Sequence, residues 1–228
     1  MRLQTGQQVV ERARADDDLD VVATEQTNPD RAVPSVGEGE VAADFDEGLD
    51  GDAEALPRAI LFGLGAALLA GDDLRTVLAE TNDETSSPLR HGEMHLLERY
   101  HAQPPATRPP PAELVFLATH EPCSLCLSAI TWSGFDNFVW LFSHEDSRDA
   151  FEIPHDLRIL KEVFDVDPGG YRRCNAFWES RGIPAMIAEL EEAERAPLEE
   201  RVERLAARYA ALSETYQGGK ADNAIPLR

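Results

Sequence analysis

The sequence has few basic residues and no long hydrophobic run. Lysine and arginine together number 21 against 43 acidic residues, for a formal net charge of -22. A surface that follows nucleic-acid phosphates normally needs clustered lysine and arginine, so this balance argues against nucleic acid as a partner. The most apolar stretch, residues 59–70, is shorter than the roughly 20 residues that cross a bilayer. We therefore expect no membrane span.

Cysteine is also scarce. Only Cys123, Cys126 and Cys174 are present, and the first two form one C-x-x-C motif. This number excludes a disulfide framework, and reduced thiols fit a reducing compartment. The N-terminus has no basic segment leading into an apolar run, so no secretory signal is predicted. We expect a soluble, cytoplasmic protein.

Composition divides the chain into four parts. Residues 1–55 carry fifteen acidic side chains, four arginines and one aromatic residue, Phe45. Such a segment buries too little apolar surface to offset the entropy of ordering, so we predict that it is disordered. Residues 56–183 are predicted to form the main domain, residues 184–219 a helical C-terminal extension, and residues 220–228 a loose tail.

Alternating strand and helix patterns predict an α/β domain with a mixed sheet covered by helices. Helices are predicted at residues 56–70, 91–101, 123–132 and 156–164, and strands at residues 75–80, 114–118 and 137–142. Near the C-terminus, apolar residues recur at helical spacing: Leu198, Val202, Leu205, Tyr209 and Leu212. We expect Pro197 to open this helix and Gly218-Gly219 to close it. Its apolar stripe is predicted to pack on its own domain rather than on another subunit.

Two short motifs contain the residue types of a catalytic zinc site. His91 precedes Glu93 by two residues, and Pro122 precedes Cys123 and Cys126. One imidazole and two thiolates occupy three of the four tetrahedral coordination positions of zinc and leave the fourth for water. This open position distinguishes catalytic from structural zinc. H-x-E followed by P-C-x-x-C is the signature of zinc-dependent deaminases. In such a site Glu93 is not a ligand; it moves protons between water, the ring and the departing amine.

The motifs leave other interpretations open. A structural zinc site would recruit His95 or His120 as a fourth ligand. His91 and His95 are four residues apart, but the intervening glutamate stands one place too late for the metalloprotease pattern. His120 faces the zinc from the end of its strand, or it caps the following helix. Cys174 is interpreted as a buried or incidental thiol.

These motifs resemble those of the cytidine-deaminase-like superfamily. Residues 114–132, LVFLATHEPCSLCLSAITW, resemble the branch that contains bacterial guanine deaminases, tRNA adenosine deaminases and fungal-type cytosine deaminases. Residues 129–132 are similar to guanine deaminases in particular, whereas residues 91–93 with Leu97-Glu98 are similar to cytosine deaminases. The resemblance covers residues 74–164. It implies a three-layer α/β/α fold with a five-stranded sheet and the zinc ligands at the starts of two central helices.

The resemblance also implies substrate-binding residues. Asn82 matches an asparagine that holds the base in this branch, although asparagine in such a loop is also a common turn or cap residue. Phe151 matches the segment that closes over the purine in guanine deaminases. Trp132 is placed in the base pocket, although an aromatic residue late in a helix more often packs on a core. Before His91 we place only one strand, where the superfamily usually has a hairpin.

Together these observations predict a zinc-dependent aminohydrolase that acts on a small nucleobase or nucleoside. A guanine-like purine is favoured, followed by cytosine. One alternative is a tRNA adenosine deaminase, which the acidic balance and the lack of a basic C-terminal helix disfavour. The other is a zinc-stabilised binding module without turnover. The resemblance leaves a homodimer open, because superfamily members are often dimers.

Overall fold

The computed structural model describes residues 64–83, 86–166 and 170–219. The predicted acidic segment, residues 1–55, and the predicted tail, residues 220–228, lie outside these ranges. Within them the chain forms five strands and six α-helices. The strands are β1 Gly65–Ala70, β2 Thr76–Thr81, β3 Leu114–His120, β4 Asn137–Phe142 and β5 Glu179–Gly182. The helices are α1 Gly92–Ala102, α2 Ser124–Trp132, α3 His144–Asp149, α4 His155–Phe164, α5 Ile183–Ala188 and α6 Glu192–Gly219.

The five strands form one mixed sheet in the order β2-β1-β3-β4-β5. Strand β1 pairs antiparallel with β2 and with β3, while β3, β4 and β5 run parallel to one another. The predicted mixed five-stranded sheet is therefore confirmed. The parallel strands end at the same edge of the sheet, and the chain turns there from β3 into α2 and from β4 into α3.

Apolar cores on both faces of the sheet give the predicted three layers. On one face Leu68 and Phe116 pack with Leu96 of α1 and Ile130 of α2. On the other face a second core joins the sheet to helices α5 and α6, and its members include Leu69, Val115, Val139, Met186, Ile187 and Leu198. Successive residues of β1 contribute to opposite cores, as the two-residue period of a strand requires.

Strand β1 corrects one prediction. Residues 65–70 were expected to end a helix that began at residue 56, but they form a strand that is buried along its whole length. A short apolar run that is buried on both faces has no alternation, so its periodicity does not separate strand from helix. The pairing with β2 supplies the hairpin whose first strand the sequence pattern did not reveal. Residues 56–63 lie outside the described ranges.

The C-terminal helices correct a second prediction. Helix α6 begins at Glu192, about one turn before Pro197, and the proline lies inside it. The backbone N–H groups of Glu194 and Arg195 both donate to Glu191 O at 2.9 Å, which starts the helix upstream of the proline. As predicted, the helix packs on its own domain, because Leu198 lies in the second core. Strand β5 was not predicted. Within the described ranges, no helix is long and apolar enough to cross a membrane.

Gly92 brings α1 into close contact with β1. A Cβ atom at this position would lie 2.9 Å from both Gly65 Cα and Leu64 O. Because both neighbours are backbone atoms, neither can move aside without shifting the strand or the helix. The glycine between His91 and Glu93 is therefore required by packing.

We expect Gly92→Ala to lower the free energy of unfolding by about 1–3 kcal/mol, since it forces two backbones apart. Denaturant unfolding followed by circular dichroism measures the change. Ser128→Ala, on the exposed face of α2, is the matched control and should be nearly neutral. Equal stability of the Gly92→Ala and wild-type proteins would contradict the packing role.

Candidate metal and substrate site

Three side-chain atoms that could hold a metal ion meet where two helices begin. His91 is the N-cap of α1, Cys123 is the N-cap of α2, and Cys126 lies in the first turn of α2. His91 Nδ1 is 3.5 Å from Cys123 Sγ and 3.7 Å from Cys126 Sγ, and the two sulfur atoms are 3.5 Å apart. Among the described residues, this is the one group of three or more His, Cys, Asp or Glu side chains whose ligand atoms could share an ion.

The triangle fits a zinc ion. Zinc–sulfur bonds of about 2.3 Å and zinc–nitrogen bonds of about 2.0 Å separate two sulfur atoms of a tetrahedron by about 3.8 Å, and sulfur from nitrogen by about 3.5 Å. The observed edges agree with these values to within a few tenths of an ångström. One imidazole and two thiolates are also a donor set that zinc prefers.

The two histidines considered as a fourth ligand and the third cysteine have other surroundings. His95 Nδ1 lies 2.9 Å from Thr81 O, so His95 is committed to the backbone of β2. Cys174 is exposed, so of the two interpretations of this thiol, buried or incidental, only the second agrees with the structure. His120 Nδ1 lies 3.1 Å from Thr119 Oγ1. Among the described residues, none of these three belongs to the metal-binding group. The geometry is that of a three-ligand site.

The two thiols differ in acidity. Hydrogen bonds with Cys126 and His91 lower the pKa of Cys123 well below its usual value, although burial opposes this. The hydrogen bond with Cys123, together with burial, raises the pKa of Cys126. Of the two, Cys123 is therefore the stronger acid. A bound dication displaces any remaining thiol proton, because a coordinating thiol is deprotonated outright.

Glu93 is the buried carboxylate beside this group. Its Oε2 atom accepts a hydrogen bond from Cys126 Sγ at 3.3 Å. Burial and then the nearby Cys123 thiolate raise the pKa of Glu93 to about 7. Burial thus makes this carboxyl group a weaker acid than an exposed glutamate, so it holds a proton more readily.

A cavity of about 460 Å³ opens beside His91, Glu93 and Cys123. Asn82 lines it and is completely buried, and neither its side-chain nitrogen nor its oxygen has a hydrogen-bond partner among the described residues. Phe151 also lines the cavity and is buried. Two of the three predicted substrate-binding residues therefore lie in the same cavity as the metal-binding atoms.

Trp132 does not lie in this cavity. It ends α2, is 91% exposed, and borders a separate surface groove with Leu89 and His101. A helix rises about 1.5 Å per residue, so the nine residues from Cys123 to Trp132 carry the indole roughly 13 Å from the metal-binding end. The placement of Trp132 in the base pocket is corrected accordingly.

A buried network behind Cys123 was not predicted. The Glu121 carboxylate accepts hydrogen bonds from the Tyr171 hydroxyl, from Arg173 at 3.1 Å and from the His144 backbone N–H at 3.1 Å. His144 Nε2 in turn lies 3.2 Å from Pro122 O. The network ties the residues just before Cys123 to the start of α3 and to the segment before β5. Position next to the P-C-x-x-C motif was the available signal for Glu121, but Tyr171 and Arg173 had none.

Helix α6 also reaches the cavity. Tyr209, Leu212 and Ser213 line it, and Ser213 Oγ donates a hydrogen bond to Phe151 O at 2.7 Å. The apolar stripe predicted along this helix contained Tyr209 and Leu212. Their position at the cavity was not predicted, because periodicity shows which face of a helix is apolar but not what that face covers.

No protein-family model matches this chain, and no curated protein matches it. Solved structures do. A guanine deaminase from Nitrosomonas europaea has 19% identity and a TM-score of 0.39, and the match covers 65% of this chain and 72% of that one. For a guanine deaminase from Bacillus subtilis the identity is 23%, the TM-score 0.37 and the coverage 44% and 61%.

A tRNA:A34 deaminase has 19% identity and a TM-score of 0.32, with coverage of 51% of this chain and 81% of that one. These proteins belong to the cytidine-deaminase-like superfamily of zinc deaminases. Because all three TM-scores lie below 0.5, the function proposed below depends on the site's own atoms.

We expect Cys126→Ser to bind markedly less than one zinc per chain, because it removes one of three donors. Zinc content after dialysis, measured by atomic emission, tests this. Cys174→Ser is the matched control and should keep one zinc per chain. Equal zinc content in the two variants would contradict the assignment of Cys126.

Glu121→Ala should lower the free energy of unfolding by about 1–3 kcal/mol, since it removes the shared acceptor of three hydrogen bonds, one of them from the buried His144 N–H. Denaturant unfolding measures the loss. Glu98→Ala, which removes an exposed carboxylate paired with Arg90, is the matched control and should change stability little. Similar stability of both variants would contradict the role of the buried network.

Proposed function

We propose that this protein is a zinc-dependent hydrolytic deaminase of a small nucleobase or nucleoside, with guanine-like purines favoured ahead of cytosine. One observation carries the proposal. The donor atoms of His91, Cys123 and Cys126 are spaced as three ligands of a zinc ion would be. Glu93, in the wall of the same cavity, has its Oε2 atom 3.3 Å from Cys126 Sγ. A structural zinc site has no use for a buried carboxylate beside three ligands, whereas a hydrolytic site requires one.

Zinc held by three protein ligands activates water as a nucleophile near neutral pH. The chain's own residues supply the proton transfers. Glu93 takes a proton from the attacking water and passes it to a ring nitrogen as the new carbon–oxygen bond forms. Glu93 then moves the proton of the new hydroxyl group to the amino group, and the carbon–nitrogen bond breaks as the carbonyl forms, releasing ammonia. Water and the amino compound are thereby converted to a carbonyl product and ammonia.

The cavity favours a small, uncharged ring. Phe151 and Tyr209 provide apolar walls, and the Asn82 amide offers both a donor and an acceptor to the edge of a base. The described lining residues include no lysine or arginine, so nothing among them neutralises a phosphate. This supports a free base or a nucleoside over a nucleotide. With the net charge of -22, it also disfavours an RNA substrate, because RNA affinity depends on phosphate contacts.

Ammonia release from a panel of free bases and nucleosides tests the proposal. The zinc-loaded wild-type protein should deaminate at least one of them. Glu93→Ala should keep its zinc and lose about 10²–10⁴-fold in rate, because a positioned proton shuttle contributes a factor of that order. Glu93→Gln, which preserves the shape of the side chain, should behave in the same way. Undiminished release by either variant would contradict the assigned role.

Two other outcomes identify the alternatives. Turnover restricted to structured RNA, with a steep dependence on salt, would indicate a tRNA adenosine deaminase. One bound zinc per chain without turnover of any substrate would indicate a zinc-stabilised binding module.

A further inference from the structure

His120 lies in the wall of the cavity, and the proposed reaction does not use it. It is the last residue of β3, three positions before Cys123, and only 8% of its surface is exposed. Burial lowers its pKa to about 3, so the imidazole is neutral at physiological pH. A neutral imidazole has one N–H donor and one lone-pair acceptor.

Aromatic rings hold the His120 side chain in place. The ring centroids of Phe142 and Phe151 each lie 5.2 Å from its own, and that of Tyr209 lies at 5.3 Å. These rings come from β4, from the segment between α3 and α4, and from α6. With neighbours on three elements, the imidazole has little freedom to reorient.

Hydrogen bonds around Thr119 indicate which nitrogen carries the proton. The Thr119 hydroxyl accepts from the Gly65 N–H at 2.9 Å and donates to Gly65 O at 3.1 Å. We assign the Thr119 proton to Gly65 O, so that Nδ1 is the donor in the contact of 3.1 Å between Thr119 Oγ1 and His120 Nδ1. Nε2 therefore presents a lone pair.

That lone pair has no partner in the part of the chain that the structure describes. His120 lines the cavity, and its Nε2 atom is buried without a hydrogen bond to any described residue. Burying an acceptor without a partner is unfavourable, and such atoms are rare in native proteins. If the role were structural only, phenylalanine would fill the same aromatic cage without this penalty.

We propose that His120 Nε2 accepts a hydrogen bond from an N–H group of the bound ring and so determines which heteroaromatic bases the cavity selects. The inference rests on the proposed function, because it takes this cavity to be the substrate site. It assigns the ligand to a chemical class: a flat, uncharged heteroaromatic ring with an N–H donor directed at His120. Asn82 supplies the other unpartnered polar side chain of the wall.

Binding of deamination products tests the inference separately from turnover. Xanthine, hypoxanthine and uracil lack the reacting amino group, and each is titrated into the zinc-loaded full chain by calorimetry. For the product that wild type binds most tightly, His120→Phe should raise the dissociation constant about 10-fold, the effect of one neutral hydrogen bond. His120→Gln keeps a polar atom near the position of Nε2 and should restore most of the affinity. His101→Phe makes the same change outside the cavity and should bind like wild type.

N-methyl derivatives of that product provide a readout that a structural role would not move. Methylation of the N–H that faces His120 should weaken binding to wild type. The same methylation should raise the dissociation constant of His120→Phe much less, because two changes that remove one interaction are not additive. Equal penalties for every derivative in both proteins would overturn the inference.

The remaining outcomes separate the inference from the proposed function. If wild type binds a product through His120 but releases no ammonia from any base, the deaminase proposal fails and the recognition role stands. If ammonia is released and His120→Phe binds products as tightly as wild type, the recognition role fails and the deaminase proposal stands. If wild type binds none of the three products, the inference is overturned.

Discussion

The site depends on the meeting of two helix N-termini at one edge of the sheet. Helices α1 and α2 place His91 and Cys123 at their N-caps, and the donor atoms of the two residues are 3.5 Å apart. That distance requires the backbones of α1 and β1 to approach closely, which Gly92 permits because it has no Cβ. Behind Cys123, the Glu121 network attaches the α2 N-terminus to the start of α3. The packing of these helix N-termini against the sheet therefore sets both the fold at this edge and the spacing of the donor atoms.

Burial gives the site its electrostatic character. Glu93 and His120 are both removed from water, and burial disfavours the charged form of each, so the pKa of the carboxyl rises and that of the imidazole falls. A dication between His91 and the two thiols would reverse this preference for Glu93, because a nearby positive charge favours the carboxylate. His120 remains a neutral hydrogen-bonding group. One cavity thus has Glu93 beside the donor atoms of His91, Cys123 and Cys126, and the neutral His120 in its aromatic wall.

Short motifs predicted that His91, Cys123 and Cys126 lie together, because the geometry of each motif is local. The spacing of Cys123 and Cys126 places both sulfur atoms on one turn of a helix, and His91 with Glu93 similarly occupies a helix start. Strand β3 and strand β4 were equally evident, since parallel strands covered on both faces are continuous apolar runs.

Features that depend on distant segments were not evident from the sequence. Strand β1 has the same apolar composition as a buried helix, and only its pairing with β2 and β3 makes it a strand. Trp132 was assigned to the pocket because the nearby motif is catalytic, although its place at the far end of α2 carries it away. Tyr209 reaches the cavity from a helix about ninety residues beyond His120 in the chain. No local pattern reports such a contact.

Anomalous scattering at the zinc edge from crystals of the zinc-loaded protein is the most direct test of the central claim. The account predicts one peak per chain within bonding distance of His91 Nδ1, Cys123 Sγ and Cys126 Sγ, with the fourth coordination position facing the cavity and filled by solvent. A peak elsewhere, or a fourth protein atom bound to the metal, would contradict it.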